Sequence, residues 1–162
     1  MMGGSGTGGY QFSRLTCSPP ASLPGRVVTV VLGDMGMTQM MGGTAPLSAR
    51  MMLRAEPSTV QGGQVSFVVE NMGWRTHELV VLPLPGAGNA GARQPGVDGK
   101  VDETGSLGEA SASCDKGSGD GISSGSVGWV TMNLGPGRYE LICNLPNHYA
   151  DGMRQAFNVT NG

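Results

Sequence analysis

The apolar stretches of this chain are short, and glycine or proline closes them. That pattern admits many short strands and leaves little room for long helices. Val27-Val28-Thr29-Val30-Val31-Leu32 runs into Gly33, Gln64-Val65-Ser66-Phe67-Val68-Val69-Glu70-Asn71 begins after Gly62-Gly63, and the run from His77 to Leu82 stops at Pro83 and Pro85. Across 162 residues the apolar share is 38%, enough for one modest core but not for two large ones. Strands are expected at 26–33, 50–54, 64–71, 77–82, 128–134, 138–143 and 154–160, with Gly135-Pro136-Gly137 as a tight turn before the sixth. About seven strands without a convincing amphipathic helix predict an all-β fold, an antiparallel sandwich.

Two segments stand apart from the strands. Residues 1–9 form a Gly-rich leader, which leaves 10–162 as a single domain. Residues 86–126 are rich in Gly, Ala, Ser and Asp and are long for a loop in a compact domain. They predict a surface excursion with a short helix near 103–112. The cysteine count is three, an odd number. Cys17 and Cys114 lie in Gly/Ser/Pro-rich surroundings, whereas Cys143 ends the strand-like run Arg138-Tyr139-Glu140-Leu141-Ile142. A Cys17–Cys114 disulfide is expected to tether the excursion and would mark maturation in an oxidising compartment. Two free buried thiols are the alternative, since spacing alone establishes no bond.

Several function classes drop out. The net charge of −2 and the scattered Lys and Arg do not suit phosphate neutralisation, so nucleic acid is not an expected partner. No run of about 18 apolar residues exists to form a transmembrane segment. Met1-Met2-Gly3-Gly4-Ser5-Gly6 lacks the basic and apolar regions of a signal peptide, so any targeting segment or anchor is expected to have been removed. The glycine runs do not follow a strand and open a helix, as a nucleotide-binding fingerprint would. Glu70, Glu78, Glu140 and Asp151 show no paired-carboxylate spacing suited to catalysis.

Chemistry concentrates in Cys143-Asn144-Leu145-Pro146-Asn147-His148-Tyr149-Ala150-Asp151-Gly152-Met153, a Cys-x4-His-x4-Met loop. Thiolate and thioether stabilise Cu(I), imidazole suits both oxidation states, and one thiolate with two imidazoles and a weak axial Met describes a blue-copper electron-transfer site. The loop supplies one imidazole, and the chain holds one further histidine, His77. Zinc is the chemical rival, but a Met ligand and the lack of Cys-rich spacing argue against it. A strand-terminal Cys can also be a plain buried hydrophobe, and a lone His a structural one.

In these residues the chain resembles the cupredoxins. Val65 to Asn71 followed by His77-Glu78-Leu79-Val80-Val81 is similar to the family's strand, turn and first histidine. Pro136-Gly137-Arg138-Tyr139-Glu140-Leu141-Ile142-Cys143 is similar to the strand leading to the copper cysteine. The four-residue gaps resemble those of the rusticyanin and sulfocyanin branches. The resemblance implies a Greek-key β-sandwich and one type 1 copper held by His77, Cys143, His148 and Met153, with His77 buried and His148 partly exposed. It implies an electron carrier, not an enzyme, that is periplasmic or otherwise extracytoplasmic. Its partners would be redox proteins such as a cytochrome or a terminal oxidase, docking on a rim of Leu145, Pro146 and Tyr149, unless those three pack inward instead. The residue after the first histidine, often Asn or Ser in the family, is Glu78 here, which leaves open how the cysteine loop is pinned. The 86–126 stretch has no family counterpart. Met35, Met37, Met40 and Met41, followed by Met51 and Met52, could gather Cu(I) and would then favour copper delivery or tolerance as the function. The same residues also suit core filling or a hydrophobic partner surface.

Overall fold

A computed structural model describes residues 15–34, 51–85 and 88–161. Within them the chain forms nine strands and no helix: β1 (Arg26–Gly33), β2 (Met52–Glu56), β3 (Thr59–Gln61), β4 (Gly63–Asn71), β5 (Leu79–Pro83), β6 (Gly108–Ala110), β7 (Val127–Leu134), β8 (Gly137–Ile142) and β9 (Arg154–Thr160). They build two sheets, ordered β2-β1-β4-β7 and β3-β9-β8-β5-β6. The leader 1–9 and Met35, Met37, Met40 and Met41 lie outside the described residues. Met51 is buried in the core, where it serves as filler.

Alternation along the strands explains how the sheets face each other. In β1, Val28, Val30 and Leu32 point inward while Val27 is exposed, the period-two pattern of a half-buried strand. β4 carries Val65, Phe67 and Val69 to the same core and is covered on its other face as well. There Ser66 is satisfied by Pro24 O at 2.6 Å and by the Thr131 hydroxyl at 2.7 Å. Phe67 meets Phe157 of β9 across the sandwich, ring centroids 5.4 Å apart and 61° between planes, an edge-to-face pair.

Two features correct the sequence expectation. The sandwich is not wholly antiparallel: β1 runs parallel to β4, pairing Leu32 with Asn71, and β3 runs parallel to β9. Chain direction within a sheet is set by long-range connections, which strand propensity does not register. The stretch 103–112 holds no helix. It carries β6, which pairs with β5 through Leu79–Ala110, Val80–Glu109 and Val81–Gly108. Gly105 at φ 87° and Gly108 at φ 155° take conformations a helix excludes, and the open edge of β5 offers the backbone partners instead.

Cys17 and Cys114 are bonded, with Cα atoms 5.9 Å apart and a sequence separation of 97. Thr16 N–H donates to Gly125 O at 2.7 Å beside the bridge, and Cys114 N–H to Val127 O at 2.7 Å. The segment before β1 is thereby fastened to the end of the Gly/Ser-rich excursion.

Candidate metal centre

β4 ends at Asn71, and the turn that follows is organised by two buried polar side chains. Asn71 donates its amide hydrogens to Arg75 O (2.7 Å) and Ile122 O (2.8 Å) and accepts from Gly73 N–H (2.9 Å). Asp34, just beyond β1, accepts from Trp74 N–H (2.9 Å) and Arg75 N–H (2.8 Å) at Oδ2. A Cβ at residue 73 would collide with that carboxylate, so the tight wrap requires Gly73. The turn delivers His77, whose backbone pairs with Ile122 of the excursion: His77 N–H to Ile122 O, 3.1 Å, and Ile122 N–H to His77 O, 2.7 Å. His77 Nε2 lies 2.8 Å from Asp34 Oδ2. An ionised carboxylate only accepts, so this bond places a proton on Nε2 and makes Nδ1 the nitrogen through which a neutral ring can ligate.

Cys143 follows the last residue of β8, and its loop closes on itself. Cys143 N–H donates to Met153 O (3.1 Å), and Met153 N–H to His148 O (3.1 Å). A turn inside the loop joins His148 N–H to Leu145 O (3.0 Å), and Asn147 takes the left-handed conformation at φ 71°. The loop is also pinned from outside. Glu78 N–H donates to Cys143 Sγ (3.3 Å), and Glu78 Oε2 accepts from Asn144 N–H (3.2 Å). Glu78 therefore makes the pin that its departure from the family pattern left open. The Asn144 amide clamps the excursion in turn, accepting from Val101 N–H (2.8 Å) and donating to Val101 O (2.9 Å).

Three donor atoms converge where these elements meet. The ligating atoms of His77, Cys143 and His148 all lie within 4.8 Å of one another. His77 Nδ1 is 3.2 Å from His148 Nδ1, and Cys143 Sγ is 3.3 Å from His148 Nδ1 and 3.9 Å from His77 Nδ1. Two bare lone pairs would repel at 3.2 Å, so in the metal-free chain the contact needs one N–H, which the neutral Nδ1–H tautomer of His148 provides, and a metal ion would take that proton's place with the sulfur included. Burial, then the nearby charges of His77 and Arg75, push His148 down to about 4, so its imidazole is neutral and can ligate at neutral pH. Burial pushes the Cys143 thiol up to about 12, against the pull of the Leu145 and Glu78 amides, so a metal must displace a proton there. Burial, with Glu109 and Glu103 adding to it, raises Glu78 to about 7. Met153 is fully buried in the same core cluster as Cys143. A soft thiolate beside two imidazoles fits a copper ion.

The expected docking rim is only partly present. Pro146 is exposed and Leu145 half-buried, but Tyr149 is 2% exposed. Its hydroxyl donates to Glu140 Oε2 (2.8 Å) and accepts from Arg93 N–H (3.1 Å), so a buried carboxylate holds the ring inside. Asp34 and Asn71 had no role assigned from sequence. The β1–β4 register that brings Asp34 to the turn carries no local signal.

No family model matches the sequence, and no curated protein does. Solved structures do resemble it. Two structures of rusticyanin variants are 15% and 16% identical to the chain, each with a TM-score of 0.50. The first alignment covers 94% of this chain and 91% of that one, the second 92% and 89%. Auracyanin A, a "blue" copper protein from the green thermophilic photosynthetic bacterium Chloroflexus aurantiacus, is 16% identical over 83% of this chain and 99% of its own, with a TM-score of 0.47. The likeness to the rusticyanins shows that the fold is a cupredoxin β-sandwich.

Proposed function

We propose that this protein is a blue-copper electron carrier, with His77, Cys143, His148 and Met153 as the ligands of one type 1 copper. The observation that carries the reading is the meeting of one thiol sulfur and two imidazole Nδ1 atoms within 4.8 Å inside a cupredoxin sandwich. A copper ion held there supplies a one-electron couple between Cu(II) and Cu(I). The chain's own part is to keep the donors still. His77 is held by Asp34 and by Ile122, the Cys143 sulfur receives the Glu78 amide, and the loop is closed by Met153 and clamped through Asn144. Donors fixed from behind need little rearrangement when the charge at the site changes, which favours fast electron transfer over substrate chemistry.

His148 keeps 8% of its surface, whereas His77 has none, so His148 is the contact through which electrons pass to and from a redox protein such as a cytochrome or a terminal oxidase. Pro146 and Leu145 flank it on the loop. The Cys17–Cys114 bridge supports maturation outside the reducing cytoplasm, in a periplasm or at the cell exterior.

The test is an optical spectrum of the oxidised, copper-loaded protein. A strong visible thiolate-to-copper band is expected in the wild type and is lost in Cys143→Ser, with the β-sandwich still folded by circular dichroism. An unchanged spectrum in that variant would remove the copper assignment.

A further inference from the structure

Asp34 lies one hydrogen bond behind His77, and its side chain is 1% exposed. A carboxylate withdrawn from water to that degree persists only where donors and positive charge compensate it. Among its donors are the Trp74 and Arg75 amides and the His77 Nε2–H. The carboxylate lies directly against an imidazole whose other nitrogen faces Cys143 and His148.

We propose that Asp34 is a positioning residue that also sets the redox poise of the centre: it fixes His77 as the Nε2–H tautomer and favours Cu(II) over Cu(I). The inference rests on the copper reading above. A hydrogen bond from the far nitrogen of a ligating histidine to a carboxylate fixes the ring and strengthens it as a donor. A neutral acceptor would fix the ring equally well but would add no net charge. Because Cu(II) carries one more positive charge than Cu(I), a fixed anion stabilises the oxidised state more. Across the width of an imidazole, in a medium between water and dry protein, that difference is on the order of tenfold.

The carboxylate is built in. Asp34 follows β1, Asn71 ends β4, and the parallel register that pairs Leu32 with Asn71 brings both strand ends to the same place. The 72–75 turn then closes over the carboxylate with two amides, and Gly73 leaves the space it needs. A side chain held by backbone amides from another segment cannot swing away when the charge on the centre changes, so its field acts on both oxidation states from one position.

Asp34→Asn separates charge from positioning, because the amide oxygen can still accept from Nε2–H. In the copper-loaded full chain the visible band is expected to persist while the Cu(II)-to-Cu(I) affinity ratio falls about tenfold, read in a redox titration as a rise of about 59 mV. Nitrogen-15 NMR of the metal-free wild type is expected to show His77 protonated at Nε2 and bare at Nδ1, a preference lost in Asp34→Ala. A retained band with an unchanged or lowered potential overturns the proposal and leaves the copper reading intact. Absence of the band from the copper-loaded wild type removes that reading itself. Protonation of His77 at Nδ1 in the metal-free wild type overturns the proposal whatever the variants do.

Discussion

The sulfur of Cys143 is approached by the Glu78 amide, and the Glu78 carboxylate reaches past it to the amide of Asn144, so one residue steadies both the donor and the start of its loop. Met153 closes the far end by backbone bonds to Cys143 and His148. Its side chain can be separated from that role, because Met→Leu conserves volume and usually costs less than about 1.5 kcal/mol in a core. On the ligand set proposed above, Met153→Leu is expected to keep copper and the visible band and to raise the reduction potential, since it would remove a weak donor that supports Cu(II) more than Cu(I). A lower potential by voltammetry would take Met153 out of the ligand set. The sequence pointed to Cys143, His148 and Met153 because they share one contiguous loop, and to His77 because the chain has no other histidine to offer. Asp34 was invisible: it stands 43 residues from its partner, and only the packing of two strand ends joins them.

β4 ties the core to the centre, since the strand that buries Phe67 against Phe157 also ends in the Asn71 that shapes the turn before His77. Phe67→Ala removes one ring of the cross-sheet pair at a fully buried position. It is expected to cost about 3 to 5 kcal/mol of stability, measured by urea unfolding of the metal-free protein. A loss below about 1 kcal/mol would mean that the sandwich closes over the gap. The long strands were legible because their alternation or β-branched content is local, as in β1, β7 and β9. β3 and β6, three residues each, were not. They are strands because β9 and β5 present them with open edges, a property of the assembled sheets.

Taken whole, the molecule is laced through its excursion. Ile122 pairs with the backbone of His77, Val101 is clamped by Asn144, and Cys114 is bonded to Cys17. Closing a loop across a sequence separation of 97 restricts the unfolded chain, and removal of a native disulfide costs about 2 to 5 kcal/mol. Cys17→Ser with Cys114→Ser is therefore expected to unfold at lower urea than the wild type. Thiol counting on the denatured, unreduced wild type should find the single thiol of Cys143, and three thiols would contradict the bridge. The order of the cysteines adds a consequence in time. Cys17 and Cys114 both precede Cys143, so as the chain emerges from its N-terminal end they can find each other before the third thiol appears. Once β8 and β9 fold, that thiol is sealed inside the core, which leaves it reduced and ready for a metal.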